Sequence, residues 1–498
     1  MASSALTRAT SWHSAKALAA VAAIAFTGCA LLTGRSPFSS NVASNACGDH
    51  GGAVGRLADG QASLDGGADE DACVQTAETP AAEPPSGGSQ PPARAGAAGE
   101  TGGRRDFNLV VLTIDALRID LGFMGYSRAV SPQLDALAKR STVFERAYSM
   151  SSYTGKSLGP MMIGKFASEC WRDGGHFDAY RPENTLLAER LQAAGFHTMG
   201  AASHWYFEPK FGLSQGMDQW DLSTVVGGPG GPVYSLVTSA ALTDVGIKML
   251  SEPKNVQGRF FLWIHYLDPH QYYVRHPETP DLSPAVSNGD KALYDGEVWY
   301  TDHHVGRLLD FIASSPWADR TIIVVTSDHG EAFGEHGVKG HGVDLWESLV
   351  RVPLVIYVPG VEPHRVHVKR SLVDLVPTLL DLLGLPQPPP GELSGRTTAP
   401  EILSSREADP EERDIYLDMP AGPRVSQHRA LIHGATPGLK LMHEGGALYF
   451  LFDLSKDPGE LHDLAGNRAM FAPLMQAFDD RLASLQPGHV VGPMIGPK

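Results

Sequence analysis

The sequence predicts an α/β fold: a mostly parallel sheet with helices on both faces, followed by a small C-terminal antiparallel sheet subdomain. From Asn108 onward, short apolar runs alternate with helical stretches, which is typical of a parallel sheet covered on both faces. After Pro386, a proline-rich stretch is followed by closely spaced apolar runs and turn residues, which favour antiparallel strands. We therefore expect a core domain over residues 107–386 and a C-terminal α+β subdomain over residues 387–498.

Five short apolar runs of the core are predicted to be buried strands. They are rich in Val, Ile, Leu and Phe, and they are too short for buried helices. The predicted strands cover residues 108–114, 197–203, 259–267, 321–327 and 352–358.

Helices are predicted where apolar residues recur at helical spacing. The last core helix is closed by Gly384 and Pro386, which are common stop signals. In the C-terminal part, the runs "RALIHG", "LKLMHEGG" and "ALYFLFDL" predict short strands. The predicted helices cover residues 131–141, 183–195, 297–314, 371–386 and 470–485.

The first 29 residues predict an export signal. Arg8 and Lys16 precede an apolar segment over 17–26 that is too short to span a bilayer. Small residues before Cys29 resemble a bacterial lipobox, so we expect a lipoprotein anchored to a membrane at Cys29, in the periplasm or on the cell surface. Simple cleavage and release is the alternative.

Residues 30–106 are rich in Gly, Ala, Ser and Pro and predict a disordered tether.

Two ligand classes are excluded by the sequence. A formal charge of −16 provides no basic excess of the kind that a nucleic-acid surface needs. Gly155-Lys156-Ser157 is similar to the end of a nucleotide-binding P-loop, but Met150 stands where that loop requires its first glycine. The methionine side chain would block the tight turn around the phosphates. We expect neither nucleic acid nor nucleotide as a partner, and the oligomeric state stays open.

Polar groups follow three of the predicted strands. Asp115 directly follows the first strand, Asp328 and His329 follow the fourth, and His270 follows the third after a proline. Each residue alone is commonly a helix cap or a satisfied polar group. Because the carboxyl ends of parallel strands meet at one edge of a sheet, together they predict a metal or anion site at that edge.

Thr154 is predicted to join this site. It precedes Gly155 and apolar residues at Leu158, Met161 and Met162, a spacing that predicts Thr154 as the N-cap of a helix. The free N–H groups of a helix N-terminus favour an anion and would lower the pKa of the hydroxyl. The simpler interpretation is that Thr154 only caps the helix. Beside a metal ion, the same hydroxyl would be a nucleophile.

These residues resemble the sulfatase family, within the alkaline-phosphatase-like superfamily. The resemblance runs in family order from about Asn108 to Leu464. It is most specific in "SDHGEAFGEHGVKGHGVDLWESLVRVPLVIYVP", and it also includes "NLVVLTIDALRIDLGFMGY" and "FFLWIHYLDPHQYY". The expected fold is therefore that of the sulfatases, and the expected activity is ester hydrolysis with a bound metal ion.

The resemblance implies roles for residues of the predicted site. It places Thr154 at the position of the nucleophile. His270 stands where a histidine binds the substrate or the leaving group, and His341 stands where a basic residue contacts the anion. The implied metal ligands are Asp115, Thr154, Asp328 and His329, and the further candidates for neutralising the substrate are Lys156 and Arg118.

The sequence departs from typical sulfatases at two places. Their nucleophile is a Cys or Ser in a Cys/Ser-x-Pro-x-Arg signature that is converted to formylglycine, whereas Thr154 cannot supply that group. Ala116 replaces the second Asp of an Asp-Asp pair, and His329 replaces an Asn. Losing a carboxylate and gaining an imidazole favours Zn²⁺ or Mn²⁺ over Ca²⁺, which stays an alternative. Both changes resemble the Thr-dependent phosphoethanolamine transferases and lipoteichoic acid synthases.

Together these features predict a sulfatase-family hydrolase that uses one divalent metal ion and Thr154 to cleave a sulfate or phosphate ester outside the cytoplasm. The substrate would be a small molecule, a glycan or a lipid. One alternative is a transferase that moves a phospho-group onto an envelope lipid or glycan. The other is a non-catalytic surface lipoprotein that keeps the fold as a binding module.

Overall fold

The computed structural model describes residues 106–225, 237–404 and 411–491. The predicted export signal over 1–29, with Cys29, and nearly all of the predicted tether over 30–106 lie outside the described residues. Within the described ranges, no helix has both the length and the apolar character that crossing a bilayer requires.

The described strands form a core sheet, a C-terminal sheet and a two-stranded ribbon. In chain order they are β1 (Asn108–Ile114), β2 (Thr142–Tyr148), β3 (His197–Ala202), β4 (Gln219–Asp221), β5 (Phe260–Tyr266), β6 (Thr321–Thr326), β7 (Ala332–Phe333), β8 (Lys339–Gly340), β9 (Arg351–Tyr357), β10 (His364–Ser371), β11 (Ile415–Met419), β12 (His428–His433), β13 (Leu439–His443) and β14 (Tyr449–Asp453).

The described helices lie between and after these strands along the chain. In chain order they are α1 (Pro132–Ala138), α2 (Thr154–Ile163), α3 (Leu187–Ala193), α4 (Ser239–Ser251), α5 (Gly289–Ala313), α6 (Glu347–Val350), α7 (Leu375–Leu382), α8 (Ala399–Leu403) and α9 (Arg468–Ser484).

The core sheet has eight strands in the order β10-β2-β9-β6-β1-β5-β3-β4. All neighbouring strands are parallel except where β9 pairs with β2 and β6. Along β1, Leu109 and Val111 pack into one buried apolar cluster, while Val110 and Leu112 pack into another. Because successive residues of a strand point to opposite faces, both faces of the sheet are covered. The predicted α/β fold with a mostly parallel sheet is confirmed.

Several elements differ from the sequence predictions. Among the core elements, β2, β10 and α4 were not predicted, and the two strands carry charged residues among their apolar ones. The predicted helix over 371–386 is shorter in the structure, because the segment just before α7 completes β10 and a tight turn. The predicted helix over 297–314 begins earlier, because Asn288 caps α5 by accepting the amides of Asp290 and Lys291 at 3.0 and 3.2 Å.

The C-terminal subdomain is an antiparallel sheet in the order β11-β12-β13-β14, with α9 as its helix. This confirms the predicted small antiparallel sheet and last helix. Strand β11 was not predicted and adds a fourth strand. Leu474 and Phe478 of α9 are buried in the same cluster as Leu431 and Leu441 of the sheet, so the helix covers one face of it.

A buried group of charges joins this subdomain to the core domain. Lys440 on β13 is completely buried, and its ammonium lies 2.7 Å from Glu460 Oε1 and 3.4 Å from Glu347 Oε1 on α6. Two carboxylates therefore share one ammonium. Burial raises the pKa of Glu460 to about 7, with Lys440 opposing the shift and Glu347 adding to it.

Lys440→Met is expected to lower the free energy of unfolding by about 3–5 kcal/mol at about pH 8, because two buried carboxylates lose their shared cation. The loss should shrink toward about pH 5. The folded pKa of Glu460 lies above its ordinary value of 4.5, so the folded state gains relative stability as the pH falls from about 7 toward 4.5. Urea unfolding at both pH values measures this. Lys456→Met, where the lysine is 81% exposed, is the control. An equal loss at both pH values would contradict this account.

Candidate active site

Three neighbouring strands bring acidic and imidazole groups to one edge of the core sheet. β1 lies between β5 and β6 and runs parallel to both, so their carboxyl ends coincide. Asp115 follows β1, and Asp328 and His329 follow β6. His329 Nε2 lies 3.6 Å from Asp115 Oδ1 and 3.4 Å from Asp328 Oδ2. The structure thus brings together the carboxylates and the imidazole predicted as metal ligands.

The two carboxylates each have a buried oxygen without a partner. Asp115 Oδ1 and Asp328 Oδ2 accept no hydrogen bond from any of the described residues. The other Asp328 oxygen accepts the amides of Ala116 and His329 at 3.3 and 3.0 Å. Buried, unpaired carboxylate oxygens are costly unless a cation neutralises them. One ligand atom from each of Asp115, His265 and Asp328 lies within 4.8 Å of the others, so this set of donors fits a divalent ion.

The electrostatics of the carboxylate pair also favour a cation. Burial raises the pKa of Asp328, and the nearby Asp115 carboxylate raises it further. At Asp115 burial acts in the same direction, but the surrounding imidazoles, with His265 hydrogen-bonded to the carboxylate, outweigh it and hold the pKa well below its usual range. The pair therefore resists carrying two negative charges unless a cation lies between them.

Thr154 faces this cluster from helix α2. Its hydroxyl lies 3.0 Å from His329 Nε2. His329 Nδ1 donates to the carbonyl of Gly330 at 2.9 Å, so in the neutral ring the lone pair is on Nε2. That lone pair accepts the threonine proton here, and it is also the atom that a metal-ligating imidazole in this orientation would present.

The prediction that Thr154 is an N-cap is wrong by one residue. Tyr153, with the extended backbone angles φ −133° and ψ 124°, is the N-cap, and Thr154 is the first residue of α2. Its hydroxyl therefore points to His329 instead of capping the helix. It still lies at the amino end of a ten-residue helix, where unpaired N–H groups favour negative charge.

Two further histidines lie beside the cluster, and their environments differ. His341 Nδ1 donates to Glu331 Oε1 at 3.0 Å. Burial opposes a charge on this ring, but Glu331 raises the pKa of His341 to about 9. Burial lowers the pKa of His270, whose Nδ1 donates to the carbonyl of Gln271 at 2.6 Å. With ring centroids 4.7 Å apart, His341 is the cationic member of the pair and His270 the neutral one.

Lys156, predicted to neutralise the substrate, is not among the described residues that line the cavity over Thr154. Its ammonium is fully buried and pairs with Asp178 at 3.0 Å, and Asp178 also pairs with Arg172 at 2.9 Å. Arg118 is likewise held by acidic neighbours, at 2.8 Å from Asp120 and 2.9 Å from Glu335. Because these carboxylates neutralise both side chains, we expect Lys156 and Arg118 to stabilise the structure of the site rather than to contact the anion.

A cavity of about 310 Å³ opens over Thr154 and Asp115. Apart from Asp115, the ionisable groups in its wall are basic or aromatic, although the whole chain is acidic. Tyr272 and Val343 are 70% and 44% exposed and form part of its rim. The cavity therefore fits an anionic group at its base and apolar groups at its rim. The basic side chains that line it are His176, His204, His270, His341 and Arg424.

Sequence reasoning missed four residues of the site: His265 beside Asp115, and His176, His204 and Arg424 in the cavity wall. His265 is a polar residue inside the otherwise apolar strand β5, and this contrast was a usable signal. His204 follows β3 after one residue, so it could have been found by the same strand-end argument as Asp115. Arg424 lies in the C-terminal subdomain, on the turn that Gly422 and Val425 close. No spacing in the sequence relates it to Thr154.

Two family models match the chain. The sulfatase model matches residues 107–385. The model of the N-sulphoglucosamine sulphohydrolase C-terminal region matches residues 334–487. The matched ranges include every strand-end residue of the site and the C-terminal sheet.

Similar proteins point to the same family. Arylsulfatase K of Danio rerio is 24% identical over 452 residues, which cover 76% of this chain and 83% of that protein. The structure of phosphonate monoester hydrolase from Agrobacterium radiobacter aligns with a TM-score of 0.58 at 20% identity, covering 76% of this chain and 95% of that one. A protein solved in complex with its substrate, D-glucosamine-2-N,6-O-disulfate, aligns with a TM-score of 0.64 at 18% identity, covering 77% and 99%. These alignments show a shared fold, and the sulfatase model covers more than half of the chain, so this protein is a member of the sulfatase family of ester hydrolases.

Proposed function

We propose that this protein cleaves a sulfate, phosphate or phosphonate ester outside the cytoplasm, with one divalent metal ion bound and with Thr154 as the nucleophile. The observation that carries the proposal is the position of the Thr154 hydroxyl. It lies 3.0 Å from His329 Nε2, at the amino end of α2, beside two buried carboxylates with unpaired oxygens. Support for export comes from the apolar segment over 17–26 and from Cys29.

The metal ion would be held by Asp115, Asp328 and His329, with Thr154 beside it. When bound, a divalent ion at this position supplies the positive charge that lowers the pKa of a hydroxyl and neutralises the oxygens of an ester. Two carboxylates and an imidazole favour Zn²⁺ or Mn²⁺ over Ca²⁺, which binds through oxygen ligands. The carboxylate missing at Ala116 shifts the set of donors in the same direction.

Three side chains, those of Thr154, His341 and His270, have separate roles in the proposed reaction. The Thr154 hydroxyl would first lose its proton to solvent. Its oxygen then attacks sulfur or phosphorus in line with the ester oxygen, whose bond breaks as a covalent ester to Thr154 forms. His341, which carries a proton at neutral pH, faces the negative charge and can give that proton to the leaving oxygen. His270, the neutral ring, can accept a proton from the water that then cleaves the ester to Thr154. The resemblance placed His270 at the substrate or the leaving group, whereas in this proposal His341 serves the leaving oxygen and His270 the attacking water.

The same geometry serves transfer if an alcohol replaces water in the second step. The exposed Tyr272 and Val343 at the cavity rim favour this second candidate, because they offer an apolar surface to a lipid or glycan acceptor. Product analysis in the presence of added alcohols distinguishes transfer from hydrolysis.

A substrate panel tests the proposal. The protein loaded with Zn²⁺, Mn²⁺ or Ca²⁺ is assayed with p-nitrophenyl sulfate, p-nitrophenyl phosphate, bis-p-nitrophenyl phosphate and p-nitrophenyl phenylphosphonate. We expect metal-dependent release of p-nitrophenol from at least one of them. No release from any ester with any metal, together with saturable binding of the same esters, would favour the binding module instead.

Arg424→Ala is expected to raise KM about three- to tenfold for an ester with a second anionic group, and to leave kcat unchanged. Arg424 is exposed at the cavity wall, where its attraction to an anion is partly screened by water. Steady-state kinetics with a monosulfated and a disulfated sugar measure the effect. Arg468→Ala, at an exposed arginine on α9, is the matched control. An equal change in KM for both sugars would contradict a role for Arg424 in binding the second anionic group.

A further inference from the structure

Four buried side chains form a continuous line that ends at the metal-binding carboxylate Asp115. Trp263 Nε1 lies 3.0 Å from Thr113 Oγ1, and Thr113 Oγ1 lies 2.8 Å from His265 Nδ1. His265 Nε2 lies 3.3 Å from Asp115 Oδ2. Trp263, Thr113, His265 and Asp115 are at most 4% exposed, so no solvent interrupts the line.

Trp263 sets the direction of these hydrogen bonds. An indole N–H can only donate, so Thr113 Oγ1 accepts from it. The threonine proton then has two acceptors within reach, His265 Nδ1 at 2.8 Å and the carbonyl of Ile264 at 3.5 Å. The shorter contact is much the stronger one. Thr113 therefore donates to His265 Nδ1, and the proton of the neutral imidazole is on Nε2.

We propose that His265 is a positioning residue that donates from Nε2 to Asp115 Oδ2 and turns Asp115 Oδ1 toward the metal position, instead of binding the metal itself. The unpaired state of Asp115 Oδ1, 3.6 Å from His329 Nε2, fits this role. Spacing alone also permits His265 as a ligand, since its ring lies within reach of both carboxylates. The hydrogen-bond direction decides between the two. This inference rests on the proposed metal site.

The surroundings of His265 hold the ring in this orientation. Thr113 and His265 are direct partners in the parallel pairing of β1 and β5. The ring of Phe207 lies 4.7 Å from the His265 ring, centroid to centroid, and tilts 34° to it. A group fixed from both sides can orient the carboxylate beyond it, and such outer partners commonly change metal affinity 10- to 100-fold.

The tautomer of His265 can be measured in the metal-free protein. Protein labelled with ¹⁵N-histidine gives a separate NMR pattern for each imidazole, and His265→Gln identifies the signals of His265 by their loss. We expect a protonated Nε2 and an unprotonated Nδ1. A proton on Nδ1 would overturn the proposal, and this measurement does not depend on whether a metal binds.

The effect on the metal site is measured by titrating Zn²⁺ into metal-free protein in a calorimeter. Thr113→Val removes the hydroxyl but keeps the shape, so we expect Zn²⁺ to bind about 10- to 100-fold more weakly. Thr113→Ser keeps the hydroxyl and should restore binding. His303→Ala, at an exposed histidine of α5, is the control for a general loss of histidine. Unchanged affinity in Thr113→Val would contradict the positioning role.

X-ray absorption spectroscopy of the zinc-loaded protein separates positioning from ligation. We expect the number of imidazoles bound to zinc to be the same in the wild type and in His265→Ala. A decrease by one would show that His265 is a ligand and would overturn the proposal. If neither protein binds zinc or another divalent ion, the proposed metal site itself fails, and the NMR measurement alone then decides on the hydrogen-bond direction.

Discussion

Thr154→Ala is expected to lower kcat for ester cleavage by about four orders of magnitude or more, because it removes the only atom that we propose forms a bond to sulfur or phosphorus. The variant should fold, since the Thr154 side chain lines the cavity and its hydroxyl bonds to His329. It should also keep its metal ion, because Asp115 and Asp328 are untouched. Initial rates on the best ester of the panel, with metal content measured in parallel, check both points.

Two variants complete this test. Thr154→Ser keeps the hydroxyl and should retain much of the activity. Ser152→Ala removes another buried hydroxyl two residues away, which donates to the sulfur of Met419 at 3.7 Å, and should leave the rate unchanged. A Thr154→Ala variant that keeps its metal and turns over at the wild-type rate would show that the nucleophile is a different group or water.

Asp328→Asn is expected to abolish high-affinity metal binding and, with it, activity. The unpaired oxygen of Asp328 is one of the two that fit the metal ion, and an amide carries no charge to hold it. The fold should survive, because an asparagine oxygen can still accept the amides of Ala116 and His329. Metal content after dialysis and calorimetric titration measure the loss.

The same variant should make the metal-free protein more stable. Two adjacent buried carboxylates destabilise each other, so replacing one by a neutral amide relieves the repulsion with Asp115. We therefore expect a higher Tm than that of the wild type in the presence of a chelator. Asp302→Asn, at a buried carboxylate that accepts the amides of Gln133 and Leu134 outside the site, should leave the metal content unchanged. A lower Tm together with retained metal would contradict the proposed metal site.

Most of the core was predictable from the sequence because its signals are local. The run "NLVVLTI" is β1 to the residue, and the other apolar runs differ from their strands by one or two residues. The missed strands β2 and β10 carry charges at positions such as Glu145 and Lys369, whose partners come from distant parts of the chain. Hydrophobic periodicity contains no information about such partners, so it did not indicate these strands.

The site residues were likewise predictable only where the signal is local. Asp115, Asp328 and His270 could be predicted together because parallel strands end at one edge of a sheet. Lys156 was expected to face the substrate because it lies two residues after Thr154. Asp178, brought back by a later loop, takes up its charge instead. Sequence distance from the nucleophile therefore does not indicate which group the lysine pairs with.

By itself, the sequence determined the fold class and the groups at the strand ends, because apolar periodicity and the residues that follow each apolar run suffice for these, and its motifs carried the resemblance to the sulfatase family. The tertiary structure alone decided that His265 lies between Thr113 and Asp115, and that Arg424 from the C-terminal subdomain reaches the cavity wall. It also decided which histidine of the pair beside the cluster is charged, since His341 donates to the Glu331 carboxylate whereas His270 Nδ1 donates to the carbonyl of Gln271. The physical reason is that hydrogen-bond direction, charge and burial depend on atoms that only folding brings together.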